Sequence, residues 1–227
     1  LDGDFVIYDD EDSTQVIGRL LAASGIRLGR EDAERVHFFL FDAAGQARMA
    51  RYEEAGESPN DVYLRLLKQV SFDAEPLRRL QFSKWLASYV HALRENHAVD
   101  FTDLPLGVLH LFHGHPEVLA RWRRRFAWIQ VDEIQDTSLP EYSILRNLAA
   151  DHKQLSFFGD VDQTIYEWRG SSPHTILNRY RAEFSPNEIG LVTNYRSTGA
   201  ILDACRAVVH RCQIGHGARR ERVDVPG

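Results

Sequence analysis

FAWIQVDEIQDTSLPEYSILRNLAADHKQLSFFGDVDQT, residues 126–164, is the stretch that decides the fold. It contains two short apolar runs rich in β-branched and aromatic residues, FAWIQV at 126–131 and QLSFF at 154–158, and each reads as a buried strand. Between them LPEYSILRNLAA carries apolar residues at helical spacing. Ser138 with Glu141 three residues on is the pattern of a capping box, which starts that helix. Working outward, SPHTILNRYRAEF reads as a second helix, with Ser172 ahead of Pro173 in its first turn, and IGLVT at 189–193 as a third strand. The order is therefore βαβαβ. Strands joined by helical crossovers pair in parallel through right-handed connections, so their carboxyl ends share one edge of an α/β sheet.

Each strand runs directly into a polar cluster: VDEIQDT, GDVDQTIYEWRG and NYRST. Ligands of open parallel sheets bind outside the carboxyl ends of the strands, so these three clusters predict one site. Asp132 and Glu133 are adjacent carboxylates where the first strand emerges. That position suits a hard cation that keeps most of its waters and is shared with phosphate oxygens, which points to magnesium with a nucleotide. The second carboxylate can then orient or deprotonate an attacking water. An isolated Asp-Glu pair, by contrast, is usually a solvated strand end.

The rest of the chain bounds the reading. At 227 residues and 44% hydrophobic content it is long enough for one large domain, or for a compact domain with a sizeable insertion. Residues 12–98 read as mostly helical. STQVIGRLLAASG has Ser13 as its expected cap and closes at Gly25, and PNDVYLRLLKQV and EPLRRLQFSKWLASYVHALRENH continue the same period. RYEEAGESPN, at 51–60, is the expected mobile loop. The net charge of -6 excludes a protein that coats nucleic acid by bulk positive charge. The acidity sits in residues 1–113, with 12 Lys/Arg against 19 Asp/Glu, whereas residues 114–227 hold 15 against 14, so any DNA contact has to be local. With two cysteines, no signal-peptide pattern and no apolar run approaching the ~18 residues of a membrane span, a cytoplasmic protein with no membrane partner is expected.

In their order and separation, VDEIQDT, GDVDQTIYEWRGS and NYRST resemble motifs II, III and IV of UvrD/Rep/PcrA-type superfamily 1 DNA helicases. The flanks DFVIYDDED, NHAVDFTDL and HPEVLARWRRRF resemble the same family, so the likeness covers nearly the whole chain, most loosely at 25–85. The resemblance implies a partial RecA-like P-loop NTPase sheet with a mostly helical insertion. Residues 1–98 would be the insertion with its lead-in segment, 99–197 the first motor domain, and 198–227 the start of the second. It also implies ATP and Mg2+ as cofactors. Single-stranded DNA, its junctions with duplex, and the remaining motor domains of the same protein would be the partners, in a 3′→5′ translocase.

Carried over residue by residue, Asp132 would hold magnesium, Glu133 activate the hydrolytic water and Gln163 sense the γ-phosphate. Arg196 would reach the γ-phosphate and neutralise developing charge, and Tyr195 would stack on adenine. Tyr166 and Trp168 would meet single-stranded DNA, where stacking is worth roughly 1–3 kcal/mol per base, with Arg169 supporting their loop. Two positions depart from the family pattern. Glu167 would repel phosphates beside the strand contact, and Ile134 replaces a common aromatic. None of the fifteen glycines begins GxxxxGK[ST], and the first residue is Leu1, so a piece of a longer motor is expected, inactive by itself. A degenerate DNA-binding or scaffold module, or the motor subunit of a helicase-nuclease complex, are the alternatives.

Two further clusters have simpler readings. Cys205, His210, Cys212 and His216 match no zinc spacing, and on a helix over 198–212 the two cysteines share a face as small buried residues. His110, His113 and His115, like Arg121, Arg123, Arg124 and Arg125, read as solvated.

Overall fold

The computed structural model describes residues 4–28, 30–50, 57–165, 171–191 and 193–213. It divides into two compact units, Leu1–Tyr180 and Arg181–Gly227. The expected loop at 51–60 falls largely outside the described residues, as do Tyr166, Trp168 and Arg169.

The first unit opens with strand β1 (Val6–Tyr8) and helix α1 (Asp10–Ala23). The cap of α1 is Asp9, whose side chain accepts from the Asp12 amide at 2.9 Å. Ser13, the expected cap, is instead buried on the helix, because three acidic residues ahead of it already favour the positive N-terminal end. Gly25, at φ 74°, turns the chain out of α1 as expected. Helices α2 (Arg30–Met49), α3 (Pro59–Leu67) and α4 (Phe82–Glu95) complete a helical core with α1. The apolar run from 75 to 97 does not form one helix. It breaks into a 3₁₀ turn over Glu75–Arg79 and then α4, with Leu80 extended at ψ 122°.

Four aromatic rings run through this core as a ladder. Tyr63, Phe82, Trp85 and Tyr89 stack with successive centroid distances of 4.3, 5.6 and 5.8 Å. Tyr63 also donates to the Leu77 carbonyl at 2.8 Å, so its buried hydroxyl is satisfied.

Strand β2 (Ala98–Asp100) pairs in parallel with β1, a pair that periodicity did not reveal because each strand has only three residues. The joint between this pair and the helices is a buried ion cluster. Arg48 on α2 meets Asp100 at 2.5 Å and Asp103 at 2.8 Å, and the Tyr89 hydroxyl donates to Asp100 at 3.0 Å. Burial pushes the Asp103 carboxyl above its usual range while the Arg48 guanidinium opposes the rise.

Helices α5 (Asp103–Gly114) and α6 (Pro116–Arg123) lead to strand β3 (Ile129–Val131). Helix α7 (Leu139–Ala149) then crosses over to strand β4 (Leu155–Phe157), which pairs in parallel with β3. The expected capping box opens α7: the Ser138 amide donates to Glu141 Oε2 at 2.7 Å. Helix α8 (Pro173–Phe184) anchors β4 through the Tyr180 hydroxyl, which donates to the Leu155 carbonyl.

The βαβ core is thus present, but the expected third strand is not found among the described residues. Among the described residues of 189–193 there is no strand, and Ile189 and Leu191 are 78% and 88% exposed. No described strand pairs with them, and an apolar run with no ladder partner cannot hold strand geometry. The described residues hold two separate parallel pairs rather than one three-stranded sheet.

In the second unit, Arg181 pairs with Glu188 at 2.5 Å, and helix α9 (Gly199–Gln213) forms where a helix was expected. Cys205 is exposed on it and not buried, since few described apolar residues of this unit are sequestered. Among the described residues no helix is long and apolar enough to cross a membrane.

Candidate functional site

The carboxyl ends of β3 and β4 are tied together beyond the strands themselves. The Phe158 amide donates to the Val131 carbonyl at 2.8 Å, and the Ile134 amide returns the bond to the Phe158 carbonyl at 3.0 Å. This brings the loop starting at Asp132 against the loop starting at Gly159. Ile134, buried, seals the base of the junction.

Asp132 is exposed, and one oxygen, Oδ1, accepts from the Glu133 amide at 3.0 Å. Glu133 has left-handed backbone, φ 52° and ψ 46°. A residue with a Cβ pays roughly 1–3 kcal/mol for such a conformation, so the surrounding contacts must hold it there. Gln135 supplies one of them, since its Nε2 donates to Glu133 Oε2 at 2.5 Å. No lysine or arginine is paired with either carboxylate among the described residues.

On the opposite loop, the Asp160 amide donates to Gln135 Oε1 at 3.2 Å. Asp160 in turn accepts from the Asp162 amide at 3.0 Å and from Gln163 Nε2 at 3.2 Å. Glu133, Gln135, Asp160 and Gln163 therefore form one continuous hydrogen-bonded chain across the two strand ends. Gly159 is required for its closeness: a Cβ there would stand 2.4 Å from Gln135 Oε1 and 2.9 Å from an Ile134 methyl.

Of the residues singled out in the sequence, Asp132, Glu133 and Gln163 are brought together. Tyr195 and Arg196 belong to the second unit. There Asn194 Oδ1 accepts from the amides of Arg196, at 2.9 Å, and Ser197, at 2.8 Å, which fixes a turn that leaves Tyr195 94% exposed and Arg196 exposed. Sequence reasoning missed Gln135, Gly159 and Asp160. The available signal was a Gln-Asp pair directly after an apolar residue in VDEIQDT, matched by a Gly-Asp pair directly after the next strand.

His110, His113 and His115 are exposed as expected, and so are Arg121, Arg124 and Arg125. Arg123 departs from that pattern. It is half-buried, donating to the Asn147 carbonyl at 2.7 Å and meeting Asp151 at 3.1 Å, so it ties α6 to the end of α7.

The donor set bears on which cation could sit here. Among the described residues no three His, Cys, Asp or Glu side chains gather as a metal cage. An exposed carboxylate with one oxygen hydrogen-bonded fits a hydrated magnesium ion that takes its other ligands from water and phosphate, and does not fit a zinc or calcium cage.

A parallel βαβ unit gathering carboxylates and amides at its strand ends is the arrangement of an α/β protein with a strand-edge ligand site. The chain belongs to the UvrD/REP helicase family, whose N-terminal domain model matches residues 1–183. It is similar to a probable DNA helicase II homolog of Mycoplasma capricolum, 31% identical over 209 residues, which is 92% of this chain and 27% of that protein. It is also similar to ATP-dependent DNA helicase PcrA from Leuconostoc citreum, 42% identical over 123 residues, covering 54% of this chain and 16% of that protein. PcrA from Staphylococcus aureus strain Mu50 is 41% identical over 123 residues, covering 54% and 17%. The chain spans between a sixth and about a quarter of the length of these relatives.

Proposed function

We propose that this chain is part of the motor core of an ATP-dependent DNA helicase or translocase, moving 3′→5′ on single-stranded DNA in repair, replication or recombination. Residues 99–197 form part of its first, RecA-like motor domain, residues 1–98 the helical insertion with its lead-in segment, and residues 198–227 the start of the second motor domain. The partners are single-stranded DNA, its junctions with duplex, and the remaining motor domains of the same protein; the compartment is the cytoplasm. The observation that carries the reading is the hydrogen-bonded chain from Glu133 through Gln135 and Asp160 to Gln163, set beside the exposed carboxylate of Asp132.

When bound with ATP, magnesium supplies neutralising charge to the phosphate oxygens. Asp132, whose carboxylate is exposed with one oxygen engaged by the Glu133 amide, would hold the hydrated ion. Glu133, fixed by its left-handed backbone and by Gln135, would orient a water toward the γ-phosphorus and take its proton. Gln163 would offer its amide to the γ-phosphate, and the family resemblance gives Arg196 a role toward the charge on the transferred group and Tyr195 one toward the base. Tyr166, Trp168 and Arg169 make the strand contact three to six residues past Gln163. The sequence contains no GxxxxGK[ST], so the amides that cradle the phosphates are not this chain's contribution, and these 227 residues alone do not turn over ATP efficiently.

The test is ATP hydrolysis by the intact protein with and without oligo-dT. Glu133→Gln removes the proton acceptor and should lower kcat by about 100-fold or more, the scale of a lost general base. A rate within threefold of wild type would remove Glu133 from the role.

A further inference from the structure

The Gln135 side chain hydrogen-bonds to both loops of the site, and neither its position nor its contacts are those of a surface amide. It is 2% exposed, and its two ends are used in opposite senses: Nε2 gives a hydrogen bond to Glu133 Oε2 at 2.5 Å, and Oε1 takes one from the Asp160 amide at 3.2 Å. A buried amide has no water to replace a lost partner, so movement at one end must be answered at the other or leave an unsatisfied polar atom. Gly159 presses the second loop against the same Oε1, with no space even for a methyl group between them. Asp160, held at one end by Gln135, holds Gln163 at the other.

We propose that Gln135 is a positioning residue that transmits the state of the loop after β4 to the carboxylate of Glu133, and so sets the DNA dependence of hydrolysis. The inference rests on the hydrolytic reading above, in which the same loop carries Gln163 and continues to the strand-contacting residues. Displacing Gly159 and Asp160 when that loop meets DNA moves the Gln135 amide, and the amide carries the Glu133 carboxylate with it. Misplacement of a reacting group by about 1 Å costs on the order of 100-fold in rate, so a small shift is enough to switch the site.

Two near-isosteric variants of the intact protein test this. Gln135→Met keeps the volume and removes both hydrogen bonds. Gln135→Glu keeps the shape but faces Glu133 with a second carboxylate, which can donate only when protonated. Among the described residues, the titratable ones hydrogen-bonded to that position are Glu133, through its carboxylate, and Asp160, through its backbone amide. For Gln135→Met, kcat with oligo-dT should fall about 10–100-fold, the scale seen when an orienting partner is lost. The ratio of stimulated to unstimulated rate should approach one, and KM for ATP should stay within about threefold. For Gln135→Glu the stimulated rate should climb as pH is lowered, because the protonated carboxyl restores the donor to Glu133 while its carbonyl still accepts from Asp160. Gln135→Met should show no such climb.

A purely structural role would lower stability without altering the pH profile. A stimulation ratio within threefold of wild type for Gln135→Met, or for Gln135→Glu at the alkaline end where its carboxyl is ionised, or a wild-type pH profile for Gln135→Glu, would overturn the inference. Glu133→Gln assayed alongside separates the two failures. If it stays active, the hydrolytic reading has failed; if it is inactive while the Gln135 variants keep their stimulation, only the role of Gln135 is lost. At the acid end Gln135→Glu retains both hydrogen bonds, so its folding does not limit the test.

Discussion

Removing Arg48 should destabilise the helical part of the first unit more than any surface change. Its guanidinium is buried between Asp100 and Asp103, and its Nε also donates to the Ala44 carbonyl at 3.1 Å. Arg48→Met fills most of the same space but strands the Asp100 carboxylate, which is fully buried and, among the described residues, keeps the Tyr89 hydroxyl at 3.0 Å and the Asp103 amide at 3.0 Å. Breaking one side of a buried ion pair costs about 3–5 kcal/mol. At roughly 2–4 °C per kcal/mol for a chain of this size, Tm should fall by about 6–20 °C.

The loss should also depend on pH, and its sign follows from Asp103. Burial already holds that carboxyl above 3.8, its value in the unfolded chain, and Arg48 is what opposes the rise. Without Arg48 the folded form takes up a proton at still higher pH than the unfolded form does, so the variant gains stability as pH falls through that window. Urea unfolding followed by tryptophan fluorescence reads this directly, since Trp85 stacks on Tyr89 at 5.8 Å. A loss below about 1 kcal/mol at pH 7, the range of an exposed pair, would refute the reasoning.

Other consequences are more local. Gly159→Ala must push Gln135 or Ile134 aside, because the new Cβ would lie 2.4 Å from Gln135 Oε1; a cost of about 1–3 kcal/mol in the same unfolding assay is expected, together with loss of DNA-stimulated ATP hydrolysis. Asp42 has its pKa raised above 3.8, first by burial, against the hydrogen bond from Gln46 and the charge of Arg65. Its ionised form therefore costs stability once pH rises through that window, so Asp42→Asn should raise Tm at pH 7 and leave it unchanged below about pH 4. Ser138→Ala removes the side-chain half of the α7 capping box and should cost about 0.5–2 kcal/mol, measured by urea unfolding, with KM for ATP unaltered.

How much of this was legible in the sequence depended on the length of the signal. The β3–α7–β4 unit could be read because LPEYSILRNLAA is long and periodic and carries its own start signal at Ser138 and Glu141. IGLVT has the same composition as a strand but no ladder partner among the described residues, and composition cannot supply one. β1 and β2 escaped because three residues show no usable period, and their pairing is fixed by the Arg48 cluster some fifty positions away in sequence. The carboxylate pair and Gln163 could be found because their residue types suit phosphate chemistry. Gln135 could not, because a buried amide is defined by what surrounds it: Glu133, Asp160 and the missing side chain of Gly159.

The central claim of the proposed reading, that Asp132, Glu133 and Gln163 of the first unit face one magnesium-bound triphosphate, can be tested by metal-directed cleavage. In the intact protein Fe2+ replaces Mg2+ in the presence of ATP, and ascorbate with peroxide cuts the backbone nearest the metal. The account predicts ATP-dependent cuts at 132–133, with weaker ones near 160–163, all lost in Asp132→Ala. Cuts elsewhere, or cuts that persist without ATP or without the Asp132 carboxylate, would contradict it.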